Sequence, residues 1–410
     1  MNNFKMAYDN LKKNKSRMIL TMIAVALGVA ILIIMLASGA GLKEMILSEM
    51  DYYGSDVINI ETRVPGKTAT ESSTDLAKGV VITTFKNSDV EKIRQHDNVE
   101  AVYSYVTGQE IIKREGESKN TLIFGYGAEA PNIEKIEIAE GRFYTTEEEN
   151  SASLVVVLGS GVKEDLFGDE EAILKTVNIK GLSFRVVGVV KERGGASMMS
   201  FDDIVYIPVI TMQKRILGTD YVLGTSIKVK DVSLIDETKE DLIYTLREEH
   251  DIKGENEDDF EAMTMEEMLT MVNSVVGGIN ALLVTLALVS LIVGGVGIMN
   301  IMYVSVTERT FEVGLKMALG AKKKDILSQF LMEAIILTLI GGVLGIVLGI
   351  SFCLLFNYVS FLFSFGVTAV ITISSIIFAF VFSMFLGLLA GVYPAKRASN
   401  LDPIISLTRK

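Results

Sequence analysis

The sequence has very few of the side chains that carry most enzyme chemistry. Its 410 residues include two histidines, His96 and His250, and one cysteine, Cys353. A His/Cys metal site and a Ser-His-Asp triad each need these groups in combination, and neither can be assembled convincingly. We therefore expect a protein that is not itself catalytic and holds no metal, and we interpret both histidines as surface residues of helices.

One short segment is similar to a phosphate-binding loop but lacks its first glycine. Pro65-Gly66-Lys67-Thr68 has the last part of that motif, whereas Glu61 stands where the first glycine is required. The polar stretch that follows, residues 69–75, has no pattern that would open a helix. We interpret the whole segment as a plain loop.

Charged residues are missing from three long stretches, 18–41, 268–307 and 334–395. As a helix, the first would span roughly 36 Å, which is enough for the hydrocarbon core of a bilayer. The second is longer than one span needs, so part of it should protrude, and the third fits two spans joined by a turn between Ser360 and Val367. The predicted spans are residues 18–41, 271–306, 326–358 and 368–395.

The charge balance predicts a side of the membrane for each remaining segment. Residues 1–17, 307–333 and 396–410 together carry 14 basic and six acidic residues, whereas 43–270 carries 25 basic and 45 acidic residues. Short basic segments stay in the cytoplasm, and long insertions cross regardless of their charge. We expect a multi-pass protein of the cell membrane with both termini in the cytoplasm and the large domain, residues 42–270, outside.

That outer domain alternates strand and helix patterns, which indicates a mixed α+β fold. Apolar spacing at 42–50 and 260–271 predicts helical stalks at its two ends. The predicted fold class is a membrane protein of four transmembrane α-helices, with a large α+β extracytoplasmic domain inserted between helices 1 and 2 on a helical stalk. Strands are predicted at 56–61, 100–106, 154–158, 175–179, 184–190, 204–207 and 225–229, helices at 88–96 and 234–249, and a mobile loop at 194–200.

The predicted spans contain small residues rather than ionisable ones. Ion-driven transporters generally need ionisable groups near the midplane, so that mechanism is disfavoured, and Glu333 is interpreted as a residue at the membrane interface. Recurring glycines let helices approach closely, which predicts packing seams rather than a pore, and the glycine cluster of the second span predicts a hinge there. These glycines are Gly294, Gly295 and Gly297 in the second span, Gly341, Gly345 and Gly349 in the third, and Gly387 and Gly391 in the fourth.

Charge returns between the second and third spans, in the segment 307–325. Glu312 and Lys316 stand four residues apart with the acid first, an order that supports a helix, while Phe311 and Leu315 repeat on another face. The pattern predicts a helix that docks on a partner at the inner face of the membrane; a solvated loop is the alternative. The residues expected to make the contact are Thr307, Glu308, Arg309, Phe311, Glu312, Leu315, Lys316 and Met317.

Several motifs resemble those of the MacB/FtsX-type ABC transporter permeases. They lie at residues 291–302, 305–310 and 320–321, in the closing segments 393–398 and 401–404, and at 157–160 and 166–168 in the outer domain. Together with the layout of one span, a large domain and three further spans, the resemblance covers nearly the whole chain. The chain resembles a MacB-like permease subunit that lacks a fused ATPase domain, because only 17 residues precede the first predicted span.

This resemblance implies a MacB-like periplasmic core outside the membrane and a dimer formed with a second permease copy, identical or related. It implies a separate ABC ATPase subunit, which would use ATP and Mg²⁺ while this chain binds no cofactor directly. The segment 307–325 would contain the coupling helix that contacts the ATPase. Membrane lipids and a membrane-fusion or adaptor protein are the other expected partners, and nucleic acid is not expected.

The function implied is mechanotransmission, in which cytoplasmic ATP hydrolysis changes the conformation of the outer domain and exports peptides, antibiotics or amphiphiles. An FtsX-like relay that regulates a cell-wall hydrolase without transport is one alternative, and extraction of lipoproteins is another. FtsX-like relays usually have a much smaller outer insertion, so the length of this domain favours export.

Overall fold

The computed structural model describes residues 15–50, 54–192, 201–363 and 368–408. They form two compact units: a middle unit, Leu47–Val272, and a helical unit made of both ends of the chain, Met1–Ile46 and Asn273–Lys410. The helices are α1 (Lys15–Met50), α2 (Ala69–Ala77), α3 (Asn87–Arg94), α4 (Ala130–Ile133), α5 (Thr146–Asn150), α6 (Ser160–Phe167), α7 (Val209–Thr211), α8 (Ile235–Glu249), α9 (Met265–Glu308), α10 (Thr310–Ala318), α11 (Lys323–Leu362), α12 (Ile373–Ser399) and α13 (Pro403–Thr408). The strands are β1 (Val57–Thr62), β2 (Val99–Arg114), β3 (Glu117–Tyr126), β4 (Ile138–Gly141), β5 (Val155–Leu158), β6 (Thr176–Ile179), β7 (Leu182–Val190), β8 (Ile204–Pro208), β9 (Gly224–Val229) and β10 (Phe260–Thr264).

The middle unit is built on a ten-stranded mixed sheet. Its strand order is β10-β1-β9-β2-β3-β8-β5-β7-β4, and β6 pairs with both β2 and β7. The pairs β3–β8 and β5–β7 are parallel, whereas β1, β2 and β9 pair antiparallel. This mixed α/β unit lies in the chain between α1 and most of α9, which is the predicted arrangement.

Strand β5 shows how the sheet is covered. Val155 and Val157 belong to one buried cluster, while Val156 and Leu158 belong to another. Because successive side chains of a strand point to opposite faces, both faces of the sheet are buried at this strand. A strand buried on both faces needs an uninterrupted apolar sequence, which is why β5 could be predicted.

Several predicted elements of the middle unit are confirmed. Strands β1, β5, β8 and β9 lie within one residue of their predicted bounds, α8 begins one residue later than predicted, and α1 extends to Met50 as the stalk pattern indicated. β6 and β7 form the predicted hairpin. Its turn residues Lys180 and Gly181 have φ angles of +50° and +83°, as expected when two positive angles match the twist of the strands.

The returning stalk prediction, residues 260–271, is wrong in its first half. Residues 260–264 form β10, an edge strand that pairs with β1, and α9 begins at Met265. A reciprocal cap sets that start: the Thr264 amide donates to Glu267 Oε2 at 3.0 Å, and the Glu267 amide donates to Thr264 Oγ1 at 3.3 Å. Strand alternation is hard to recognise in a segment that continues directly into a helix.

Other local predictions also need correction. Residues 69–75 belong to helix α2, which a Thr68–Glu71 capping box opens. Helix α3 begins at Asn87, where the Lys86 amide donates to Asp89 Oδ2 at 2.7 Å. β2 continues to Arg114, and its residues 105–114 pair with β3, which was not predicted. The predicted mobile loop at 194–200 lies outside the described residues.

The helical unit contains helices long and apolar enough to cross a membrane. They are Met22–Leu47 within α1, and the helices Met265–Glu308, Lys323–Leu362 and Ile373–Ser399. The predicted turn between Ser360 and Val367 falls partly outside the described residues, but α11 continues to Leu362, beyond its predicted end. Asn357 holds the start of the next segment, since its Nδ2 donates to the Ala369 carbonyl at 3.0 Å and its Oδ1 accepts from the Ala369 amide at 2.7 Å.

Glycines bring α11 close to two other helices. A Cβ atom added at Gly345 would lie 2.5 Å from the Ala26 carbonyl oxygen of α1, and Gly341 and Gly349 approach α1 in the same way. On α12, Gly387 lies against Thr338 of α11, and a Cβ at Gly391 would lie 2.6 Å from the Ala334 Cβ. The backbones of α1, α11 and α12 can therefore approach this closely only because glycine has no side chain at these positions.

The second-span glycines have more room. A Cβ at Gly294 would have its nearest neighbour, the Ala24 carbonyl oxygen, at 3.7 Å, and one at Gly295 would lie 3.4 Å from Leu386 Cδ2. α9 is a continuous α-helix through Gly294, Gly295 and Gly297. The hinge stays a prediction.

His250 is a buried ionic centre of the middle unit rather than the surface residue that we predicted. Its Nδ1 lies 2.8 Å from Asp259 Oδ1 and its Nε2 lies 3.3 Å from Asp89 Oδ2, and the side chain is 7% exposed. The hydrogen bonds with Asp259 and then Asp89 raise the pKa of His250 to about 9. Burial favours the neutral form of Asp89, but the hydrogen bonds from His250 and the Lys86 amide outweigh it and hold the pKa of Asp89 below its usual value.

We predict that Gly345→Ala destabilises the full-length protein, while Gly278→Ala does not. The new methyl at residue 345 meets the α1 backbone, which costs about 1–3 kcal/mol as an overpacked contact, whereas nothing lies within 4 Å of a Cβ at Gly278. Thermal unfolding of the purified protein in detergent measures both. Equal melting temperatures for the two variants would contradict the close packing of α1 and α11.

We also predict that His250 stabilises the fold in a pH-dependent way. Its folded pKa of about 9 lies above the ordinary value of 6.5, so its contribution is complete below about pH 6.5 and is lost as the pH rises through 9. The stability difference between wild type and His250→Gln should shrink by roughly 2–3 kcal/mol between pH 6 and pH 9.5. Denaturation of both proteins across this range tests it, and a constant difference would contradict the ionic role.

Candidate functional site

The helix predicted between the second and third spans is α10, and one residue separates it from α9. Arg309 has φ −104° and ψ 14°, outside the regular helix, between Glu308 and Thr310. Thr307 and Thr310 donate their hydroxyls to carbonyls of the preceding turn, at 2.8 Å to Val304 and 3.1 Å to Val306. Such bonds often bend helices, which accounts for a break at this threonine-flanked arginine.

α10 ends at Ala318, and the chain turns back at once into α11. Gly320 takes a positive φ of +99°, the conformation that glycine adopts at helix ends without steric cost. Asp325 then caps α11, because its Oδ2 accepts from the Lys322 amide at 3.0 Å. The two helices are therefore joined by a short connection with defined geometry.

The inner face of α10 packs on the last helix, α13. Val313 and Gly314 are buried, and a Cβ at Gly314 would lie 2.5 Å from the Cβ of Ser406 in α13. Asp402 opens α13 by accepting from the Ile404 amide at 2.8 Å, with Pro403 as the first helical residue, where its missing amide is no loss. α13 therefore supports α10, a role that the sequence did not reveal.

An ion pair ties the break to α11. Arg309 Nη1 lies 3.1 Å from Glu333 Oε1 and 3.4 Å from Oε2. The side chains are 13% and 2% exposed, so the interpretation of Glu333 as a plain interfacial residue missed its burial and its partner. The signal available in the sequence was a single acid at the edge of an otherwise uncharged stretch.

A second polar contact joins the same two helices. Lys316 Nζ donates to Gln329 Oε1 at 3.1 Å, and Met317 packs against the buried cluster of the helical unit. Among the residues predicted to contact a partner, Arg309, Lys316 and Met317 thus already have contacts within the chain.

The opposite face of α10 is apolar and exposed. Phe311 is 53% exposed, Leu315 45% and Leu319 81%, and they repeat at four-residue intervals along one side of the helix. Thr307, Glu308 and Glu312 are also exposed. Among the described residues, no group of three or more His, Cys, Asp or Glu side chains could hold a metal ion. An exposed apolar helix face of this kind is typical of protein–protein or membrane interaction sites.

Comparisons with known proteins cover both units. A family model described as the MacB-like periplasmic core domain matches residues 18–243, and one described as the FtsX-like permease C-terminal matches residues 284–403. The Macrolide export ATP-binding/permease protein MacB of Bdellovibrio bacteriovorus is 34% identical over 408 residues, which is 98% of this chain and 60% of that protein. The protein of the same name from Chlorobium luteolum is 36% identical over 403 residues, 98% of this chain and 59% of that protein.

The chain thus spans about 60% of the length of these curated relatives. The crystal structure of the periplasmic region of MacB from Actinobacillus actinomycetemcomitans matches with a TM-score of 0.46 and 22% identity, over 56% of this chain and 97% of that one. The core-domain model alone matches more than half of the 410 residues. The chain therefore belongs to the MacB family of ABC transporter permeases, with a MacB-like periplasmic core domain and an FtsX-like permease domain.

Proposed function

We propose that this chain is the transmembrane subunit of an exporter powered by a separate ABC ATPase, and that it works by mechanotransmission. ATP and Mg²⁺ are used by the ATPase, and this chain binds neither. The observation that carries the proposal is α10, whose inner face is fixed to α11 and α13 while its apolar outer face is exposed. When a docked protein moves a helix held in this way, the helices packed against it move as well.

The long helices are the proposed route for that push. α9 has 44 residues, about 66 Å of helix, whereas the hydrocarbon core of a bilayer needs roughly 30 Å. It begins directly after β10, an edge strand of the sheet, and ends at the break before α10. Movement at this break would thus reach the middle unit through one continuous helix, α9.

The charge distribution supports the proposed orientation. Residues 1–17, 307–333 and 396–410 are rich in Lys and Arg, and the segment 43–270 is strongly acidic. By the positive-inside rule, α10 and both termini face the cytoplasm, and the middle unit lies outside the cell membrane.

The membrane helices leave apolar surface for further partners. In an apolar stretch of 18 residues in α9, 25% of the residues are buried, whereas 50% are buried in the corresponding stretch of α1. A second permease copy, identical or related, and membrane lipids would cover the rest. The cargo that we propose is peptides, antibiotics or amphiphiles, handed over outside the membrane with the help of an adaptor protein.

The size of the middle unit, Leu47–Val272, favours export over an FtsX-like relay that regulates a cell-wall hydrolase. Extraction of lipoproteins would use the same subunit arrangement and differs only in cargo.

We predict that Phe311→Asp combined with Leu315→Asp separates the permease from its ATPase. Each carboxylate would have to be desolvated in an apolar contact, which costs far more than the contact gains. The ATPase activity that co-purifies with the full-length, detergent-solubilised chain should fall at least about ten-fold, equivalent to about 1.4 kcal/mol.

Ile111→Asp is the matched control, because Ile111 is 48% exposed on a strand of the middle unit. That variant should retain the ATPase, and both variants should keep the wild-type melting temperature. Full co-purification with the double variant would rule out α10 as the docking helix.

A further inference from the structure

Glu333 is the one carboxylate that is buried among the described residues of the helical unit. A carboxylate removed from water without a partner is strongly unfavourable, and here Arg309 supplies the opposite charge at 3.1 Å. Such a pair seldom adds net stability, because well-packed apolar residues often serve as well or better. Its presence at this place therefore calls for a reason other than stability.

The location of the pair supplies that reason. Arg309 is the residue at which α9 and α10 separate, and Glu333 lies in α11, between Phe330 and Ala334, which are also buried. Ala334 in turn faces Gly391 of α12, where an added Cβ would lie 2.6 Å away. The ion pair thus connects the break to a point where α11 and α12 pack closely.

Arg309 is the single non-helical residue between α9 and α10. Rotation about its two backbone angles changes the direction of α10 relative to α9, and the ion pair opposes that rotation at the residue itself, in addition to the packing of Gly314 on Ser406. A second polar contact with α11, between Lys316 and Gln329, joins half-buried side chains of which one is uncharged. Arg309 and Glu333 form the charged and better buried tie.

We propose that Arg309 and Glu333 are positioning residues that fix the direction of α10 against α11. Force applied to α10 then moves α11 and α12 instead of being absorbed at the break. This inference rests on the proposed function for the source of the force, but the geometry that it assigns can be measured without any partner.

The test uses Glu333→Gln, because Glu333 is too buried to contact an ATPase directly. Spin labels at Ala318→Cys in α10 and Val347→Cys in α11, in a Cys353→Ser background, report the distance between the helices in the full-length protein. Glu333→Gln and Arg309→Gln should each broaden the distance distribution about two-fold. The double variant should return towards the wild-type width, because two amides can hydrogen-bond and no lone charge remains buried.

Arg309→Lys is the control in case the other variants fail to fold, because it keeps the charge. Since a lysine lacks the rigid fork of arginine, this variant should give a distance distribution of intermediate width. Lys324→Gln removes an exposed charge from the same connection and should change nothing. An unchanged distribution in Glu333→Gln and Arg309→Lys would overturn the inference.

A second measurement separates this inference from the proposed function. With the ABC ATPase bound, Glu333→Gln should still co-purify it, yet ATP should no longer shift the distance between the two labels as it does in the wild type. If the wild type itself retains no ATPase, the proposed function fails, whereas the distances without partner still decide the positioning role. A normal ATP-driven shift in Glu333→Gln would overturn the inference alone.

Discussion

Close approach of helix backbones is the constraint on which the helical unit depends. In a bilayer, apolar side chains gain nothing from leaving lipid for one another, so spans associate through tight packing instead. Gly341, Gly345 and Gly349 let α11 lie against α1, and Gly387 and Gly391 let α12 lie against α11. Two long helices of this unit, α1 and α12, thus pack directly on α11.

A buried ion pair then fixes the position of α10 on this packed unit. Arg309 and Glu333 place α10 against α11, and α13 closes on the other side of α10 at Gly314 and Ser406. In the proposed function, these contacts hold α10 firmly against the long helices, while its apolar face stays exposed for the ATPase. The middle unit has an ionic centre of its own, at His250, which ties α3 and the end of α8 to the segment before β10.

Much of the fold could be predicted because strong local patterns coincide with it. The spans follow from uncharged stretches, β5 from a continuous apolar run, and the β6–β7 hairpin from Lys180-Gly181. The errors have physical causes as well: β10 merges directly into α9, and the cap of α2 depends on two polar residues in a segment without apolar periodicity. Burial of His250 and Glu333, and the packing of α13 on α10, depend on partners distant in sequence, which a single sequence does not reveal.

In the proposed function, a movement of α10 changes the conformation of the middle unit. Hydrogen–deuterium exchange of the full-length permease with its ABC ATPase in lipid nanodiscs, with and without a non-hydrolysable ATP analogue, tests it most directly. We expect nucleotide to change the exchange of β10 and of the first turns of α9, as well as that of residues 307–325. Changes confined to the ATPase and residues 307–325 would contradict it.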